Sequence, residues 1–289
     1  MQGIQIKLTE KSQETKMIYI YDIESETSLK TQPFFLLNSF EGLGQLNFNN
    51  FLYFCGGNEK KKGGTYFLQY DPVKSINSLT MMINCLFDHK YPSMIGYKNE
   101  FIIVAGGMEG NTRCEIYGLN KKKWKALPEL PEPRFGSCLL SEEKQEFVYL
   151  FGGKTSDNFC VSVLRLNMKS LIVWESVIVK ENSYLLQKSH FSIVKYDRSL
   201  ILLLGGSKKN EEYTDQILEF DLVSKTVKQS NLKLSRPAKF FMSNHADLNN
   251  QTFFFFDTSS YVHTFSKIDL KFKASHYVDN IQDEDTHPY

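Results

Sequence analysis

The sequence predicts an all-β fold built from six repeats, each folded as a four-stranded antiparallel sheet, and three observations carry that prediction. A short apolar run ends in two glycines at four places: LYFCGG at Gly57, IIVAGG at Gly107, VYLFGG at Gly153 and LLLGG at Gly206. After each pair comes a polar stretch and then a β-rich segment closing on Asp or Asn. That second signal also extends past both ends of the series, falling at Asp22, Asp71, Asn120, Asn167, Asp221 and Asp269. The runs themselves are rich in β-branched and aromatic residues and are broken by polar turns such as YKNE, SEEKQE and YDRS. They lack the 3.6-residue period that helical repeats of similar length would show.

Each element has a reason. The Gly-Gly run is the second strand of a unit, and its glycines allow positive φ and close backbone approach. The segment ending in Asp or Asn is the third strand. In the sixth unit FFFFD, with Asp257 and Thr258, stands where the glycines are expected. The first unit offers a second strand near Ile4 to Leu8, a third ending at Asp22 and a fourth near Phe34 to Leu37, but no first. Residues 278 to 283 are therefore expected to return and supply it, because an open edge exposes backbone donors and acceptors. The longest interval, from Asn167 to Asp221, places its extra residues in KENSYLLQKSH, 180 to 190. No helix longer than two turns is expected. Four-stranded units of this length match the blade of a β-propeller, in which each sheet buries both faces against its neighbours. Residues 1–280 read as one propeller domain and 281–289 as a short acidic tail.

Apolar residues before Gly-Gly, then a Tyr, then a Trp seven positions later, resemble the kelch motif. The third unit carries it best, with Gly106, Gly107, Tyr117 and Trp124, and the fourth keeps Gly152, Gly153 and Trp174. PEPRFGS, with Arg134 and Gly136, resembles the segment that opens a kelch unit. The resemblance implies a six-bladed kelch propeller, with Tyr and Trp filling the wedge between blades. It also implies a binding module, a setting in which ubiquitin-ligase or cytoskeletal assembly is common. No BTB or F-box segment precedes the repeats.

Composition bounds the function. With 34 Lys and Arg against 33 Asp and Glu, the chain has no global field for nucleic acid or an anionic membrane. It has no apolar run long enough to span a bilayer, and MQGIQIKLTEKS lacks the apolar core of a signal peptide, so a soluble, cytoplasmic protein is expected. Cys55, Cys85, Cys114, Cys138 and Cys160 form no Cys-x-x-Cys pair and read as small buried hydrophobes. The six histidines fall at unrelated places in the repeat. Glu211, Asp215 and Glu219 come nearest to the iron-binding run of the plant specifier proteins, but end in Glu where His is required. No phosphate-binding loop or nucleophile motif is present. The expectation is therefore no enzyme and no cofactor; a propeller enzyme or a small-ligand or metal binder is the alternative.

What remains is a protein-interaction scaffold or adaptor that binds a protein or peptide partner through loops on one face. In an antiparallel blade the loop between strands two and three and the link to the next blade emerge together. That face is expected to carry Arg113, Arg134, Arg236, Tyr184 and Lys61 as partner-binding residues, with the Lys60 to Lys62 run at a hairpin tip. Arginine beside aromatics anchors interfaces and grips carboxylates with two hydrogen bonds. Arg134 and Arg236 have a second possible role, bracing the turns between blades. Acidic loop residues nearly balance the basic ones, so no generally acidic partner is expected.

Overall fold

The computed structural model describes residues 6–9, 17–22, 27–30, 42–57, 65–71, 79–142, 144–208, 212–248, 252–257, 261–266, 271–276 and 281–282. Four blades are described with their packing. Blade one is Leu43–Phe48, Phe51–Gly56, Tyr66–Tyr70 and Leu79–Met81, and blade two is Ser93–Tyr97, Phe101–Ala105, Cys114–Gly118 and Lys123–Leu127. Blade three is Cys138–Glu142, Phe147–Phe151, Val163–Asn167 and Trp174–Val177, and blade four is Ser192–Lys195, Leu200–Leu204, Thr214–Asp221 and Thr226–Ala238. In each blade the strands pair in sequence order, antiparallel throughout. Among the described residues the single helical turn is the 3-10 segment Ser183–Leu186, which falls in the inserted stretch expected at 180 to 190.

The core is a series of wedges between blades. In the second strand of blade two, Ile102 and Val104 pack toward Tyr53 and Phe67 of blade one, while Ile103 and Ala105 pack toward Leu150 and Leu164 of blade three. Alternate side chains of a strand point to opposite faces, so a sheet buried on both sides needs an unbroken apolar run. The kelch-like aromatics fill these wedges as expected. Tyr117 and Trp124 are cross-strand partners with ring centroids 5.0 Å apart, and Phe67 of blade one meets them at 4.8 and 4.9 Å. Trp124 Nε1 donates to the Ile83 carbonyl and Trp174 Nε1 to the Pro128 carbonyl, so each indole ties its blade to the link that precedes it. Between blades three and four, Phe151 meets Phe220 edge-on at 5.1 Å.

The Asp or Asn that closes the third strand also has a local role. Asp221 Oδ1 accepts the backbone N–H groups of Val223 and Ser224, and Asn167 Oδ1 those of Lys169 and Ser170, fixing the turn into strand four. These backbone donors, Ser224 first, hold the Asp221 carboxyl below its ordinary value.

Two more four-stranded sheets flank these blades. One contains Phe240–Leu248, Thr252–Asp257, Tyr261–Ser266 and Lys271–His276, all antiparallel. The other contains Ile6–Thr9, Met17–Asp22, Thr27–Lys30 and Ile281–Gln282. This last sheet corrects the expected closure. Residues 281–282 do return, but Ile281 and Gln282 pair in parallel with Ser28 and Leu29, at the edge beyond Thr27–Lys30, and do not supply a first strand beside Ile6–Thr9. The fourth strand of that unit is Thr27–Lys30, and the stretch Phe34 to Leu37 lies outside the described residues. The packing described in full is accordingly that of four propeller blades, where the sequence led us to expect six.

Candidate functional site

The Gly-Gly pairs join each blade to the link that leads out of it. The second glycine donates its N–H to a link carbonyl in every case: Gly57 to His89, Gly107 to Arg134, Gly153 to Lys188 and Gly206 to Ala238, at 2.8 to 3.0 Å. A Cβ on the first glycine would run into that same carbonyl, at 2.7 Å for Gly205 and 2.9 Å for Gly152. Every one of these glycines has positive φ. The loops between strands two and three therefore lie against the inter-blade links, and together they build one face, as the strand directions required.

His89, Arg134, Lys188 and Ala238 hold equivalent places in the repeat, and all four are buried. Three of them carry nitrogen-bearing side chains that brace the next blade. His89 meets the Gly106 carbonyl through Nδ1 at 2.8 Å and the buried Glu115 carboxylate through Nε2 at 2.9 Å. Glu115 also accepts the backbone N–H groups of Leu86 and Phe87. Arg134 donates to the carbonyls of Gly152 and Ser162, to Ser162 Oγ and to the Glu132 carboxylate. Lys188 reaches the Gln216 carbonyl at 3.4 Å. Burial, reinforced by Lys208 and opposed by Asp215, pushes its pKa down to about 7.

Nearer the first strands, a second repeating position follows. Gly42, Tyr91, Gly136 and His190 all adopt positive φ. Tyr91 N–H donates to the Gly42 carbonyl, His190 N–H to that of Gly136, and Phe240 N–H to that of His190, so the backbone is stitched from repeat to repeat. Burial, then Lys239 and Lys154, push the His190 pKa down to about 3. Cations stand over rings along this rim: Arg113 over Phe87 at 5.1 Å, Lys154 over Phe135 at 5.3 Å and Lys239 over Tyr213 at 6.0 Å.

The structure separates the predicted partner-binding residues. Arg113 is half exposed, paired with Glu129 and held over Phe87. Tyr184 is 63% exposed on the 3-10 turn of the link into blade four. Arg236 is partly exposed, inside the long last strand of blade four and not in the following link as expected. Arg134 is fully buried, so its side chain acts as a brace and is withdrawn from the candidate interface. Lys61 lies outside the described residues. These residues belong to different repeats and form no single cluster.

Sequence reasoning missed the Glu115 partner of His89, because Glu115 sits in a strand whose alternation gives no sign of a buried carboxylate. The periodic placing of His89, Arg134 and Lys188 was visible in their spacing, but their burial was not. No protein-family model and no curated protein matches the chain. The propeller architecture therefore rests on the strand pairing and the inter-blade packing. Among the described residues, no group of three His, Cys or carboxylate side chains is placed to hold a metal ion, and no helix is long and apolar enough to cross a membrane.

Proposed function

We propose that the chain is a protein-interaction module, a scaffold or adaptor of the kelch type, that captures a protein or peptide partner through the face formed by the inter-blade links and the loops between strands two and three. The observation that carries this reading is where large apolar side chains meet solvent. Ile83 at 58% exposure, Leu86, Ile178 and Tyr184 lie on links, and Val161 and Tyr213 on the loops beside them. Exposed apolar and aromatic side chains interspersed with arginine are the composition of a binding surface. The backbone beneath them is held by repeated glycine-to-carbonyl bonds, so little ordering is lost when a partner docks.

The finer architecture is part of the same proposal. Six third-strand signals and six hydrogen-bonded four-stranded sheets support a six-bladed kelch ring. Cytoplasmic action fits five cysteines that stand as free thiols. Ubiquitin-ligase or cytoskeletal assembly is the setting that the kelch resemblance implies for the partner.

The test is capture of a stoichiometric partner by the immobilised chain. Reversing Arg113 and Arg236 to Glu together should weaken capture about tenfold, and Tyr184→Ala by a similar factor, with folding verified by circular dichroism. Unchanged capture by these variants, with loss on changing Lys98 and Asn99 in the opposite hairpin, would place binding on the other face.

A further inference from the structure

Cys55 and Cys85 are separated by 30 residues in sequence, yet their Sγ atoms lie 2.8 Å apart. Cys55 is in the second strand of blade one, next to Gly56, and Cys85 is in the link that leaves the same blade. Both are buried free thiols. Cys85 also points toward the Tyr66 carbonyl at 3.7 Å. The other three cysteines are not paired with one another: Cys138 donates to the Phe191 carbonyl, Cys114 to that of Thr112, and Cys160 sits at the mouth of the blade-three loop. A disulfide of about 2.0 Å is reached from the observed separation by a shift under about 1 Å.

We propose that Cys55 and Cys85 are a redox-responsive pair that closes to a disulfide on reaction with a low-molecular-weight disulfide, stapling the second strand of blade one to its outgoing link. Access sets the order of events. Cys85 is the one buried residue of the stretch from Ile83 to Leu86, with exposed Asn84 and Leu86 on either side, so a small local opening presents it to solvent. Cys55 lies between buried neighbours, and its thiol pKa is raised well above the ordinary value by burial and by Cys85.

The deprotonated Cys85 sulfur attacks one sulfur of the small disulfide and expels the first small thiolate, giving a mixed disulfide. The Cys55 sulfur then attacks the Cys85 sulfur and expels the second thiolate. The two protons lost from the protein thiols end on the two released thiols, and the two electrons removed from the pair reduce the oxidant. The staple fixes the link that carries the exposed Ile83 and Leu86 and the Phe87 ring beneath Arg113.

The experiment incubates the full chain with oxidised glutathione, alkylates the remaining thiols, and reads the intact mass, the proteolytic map and the melting temperature. The expected result is loss of about 2 Da before alkylation, a cross-linked peptide pair containing Cys55 and Cys85, and a melting temperature raised by roughly 5 °C and restored by dithiothreitol. Cys55→Ser and Cys85→Ser should each abolish the cross-link and the shift, while Cys160→Ser keeps both. A folded wild-type chain that stays fully reduced, stops at a glutathione adduct, or cross-links other cysteines overturns the proposal. The wild-type peptide map decides the matter even where a serine variant fails to fold.

Discussion

Tyr117 shows how one side chain can serve packing while its polar atom contributes nothing. Its ring fills the wedge between blades one and two, but its hydroxyl is buried with no hydrogen-bond partner among the described residues. Burial also raises its pKa. Tyr117→Phe should therefore leave stability unchanged or raise it by up to about 1 kcal/mol, whereas Tyr117→Ala should cost about 3 to 5 kcal/mol, both read by chemical denaturation. Lys188 makes a different prediction. Its folded pKa of about 7 lies below the ordinary 10.5, so between those values the unfolded chain binds more protons than the folded one. Stability must then rise with pH across that window, and the penalty is fully present below about pH 7. Wild-type stability should gain on the order of 2 kcal/mol between pH 7 and pH 9 from this group, and Lys188→Met should flatten that part of the profile. A pH profile identical in wild type and variant would show that Lys188 is not desolvated as described.

Among elements, the junction of the Gly-Gly strand end with the outgoing link decides how blades assemble. Gly106 has φ +68, and a Cβ there would collide with the Arg134 carbonyl, which already receives the Gly107 N–H. Gly110, four residues on, has φ +75 with nothing within 4 Å of a Cβ. Gly106→Ala should cost about 3 kcal/mol, from positive-φ strain plus overpacking, and Gly110→Ala about 1 kcal/mol from strain alone. Equal losses in thermal unfolding would mean that backbone conformation, and not close approach of the link, governs the glycine pairs. The links themselves were legible in sequence as intervals between strands, but their contents were not. His89 and Arg134 resemble surface residues in a linear reading; only the neighbouring blade supplies the carbonyls and the Glu115 carboxylate that let them be buried. Arg236 went astray for a related reason, since strand four of blade four runs on to Ala238 and absorbs residues assigned to the link.

For the whole molecule, stability comes from wedges shared between neighbours, so the sheets at the two ends of the repeat series matter most. The parallel pairing of Ile281–Gln282 with Ser28 and Leu29 covers an edge of the N-terminal sheet. Deleting residues 278–289 should lower the melting temperature by about 2 to 4 °C, as expected for the loss of roughly 1 kcal/mol in a chain of this size. An unchanged value would show that this edge contributes no stability.

The sequence by itself determined the all-β class, the four-stranded unit and the place of nearly every second and third strand. Those features are written in local patterns: an apolar run bounded by Gly-Gly, a β-rich run bounded by Asp or Asn, a Tyr and Trp seven residues apart. Tertiary structure alone decided the rest. Which edge the C-terminal strand covers, which of two arginines is buried, which carboxylate meets His89 and which two cysteines touch all depend on residues that are distant in the chain. Such pairings leave no periodic trace, because each is made once, between side chains whose identities are free to differ from one blade to the next.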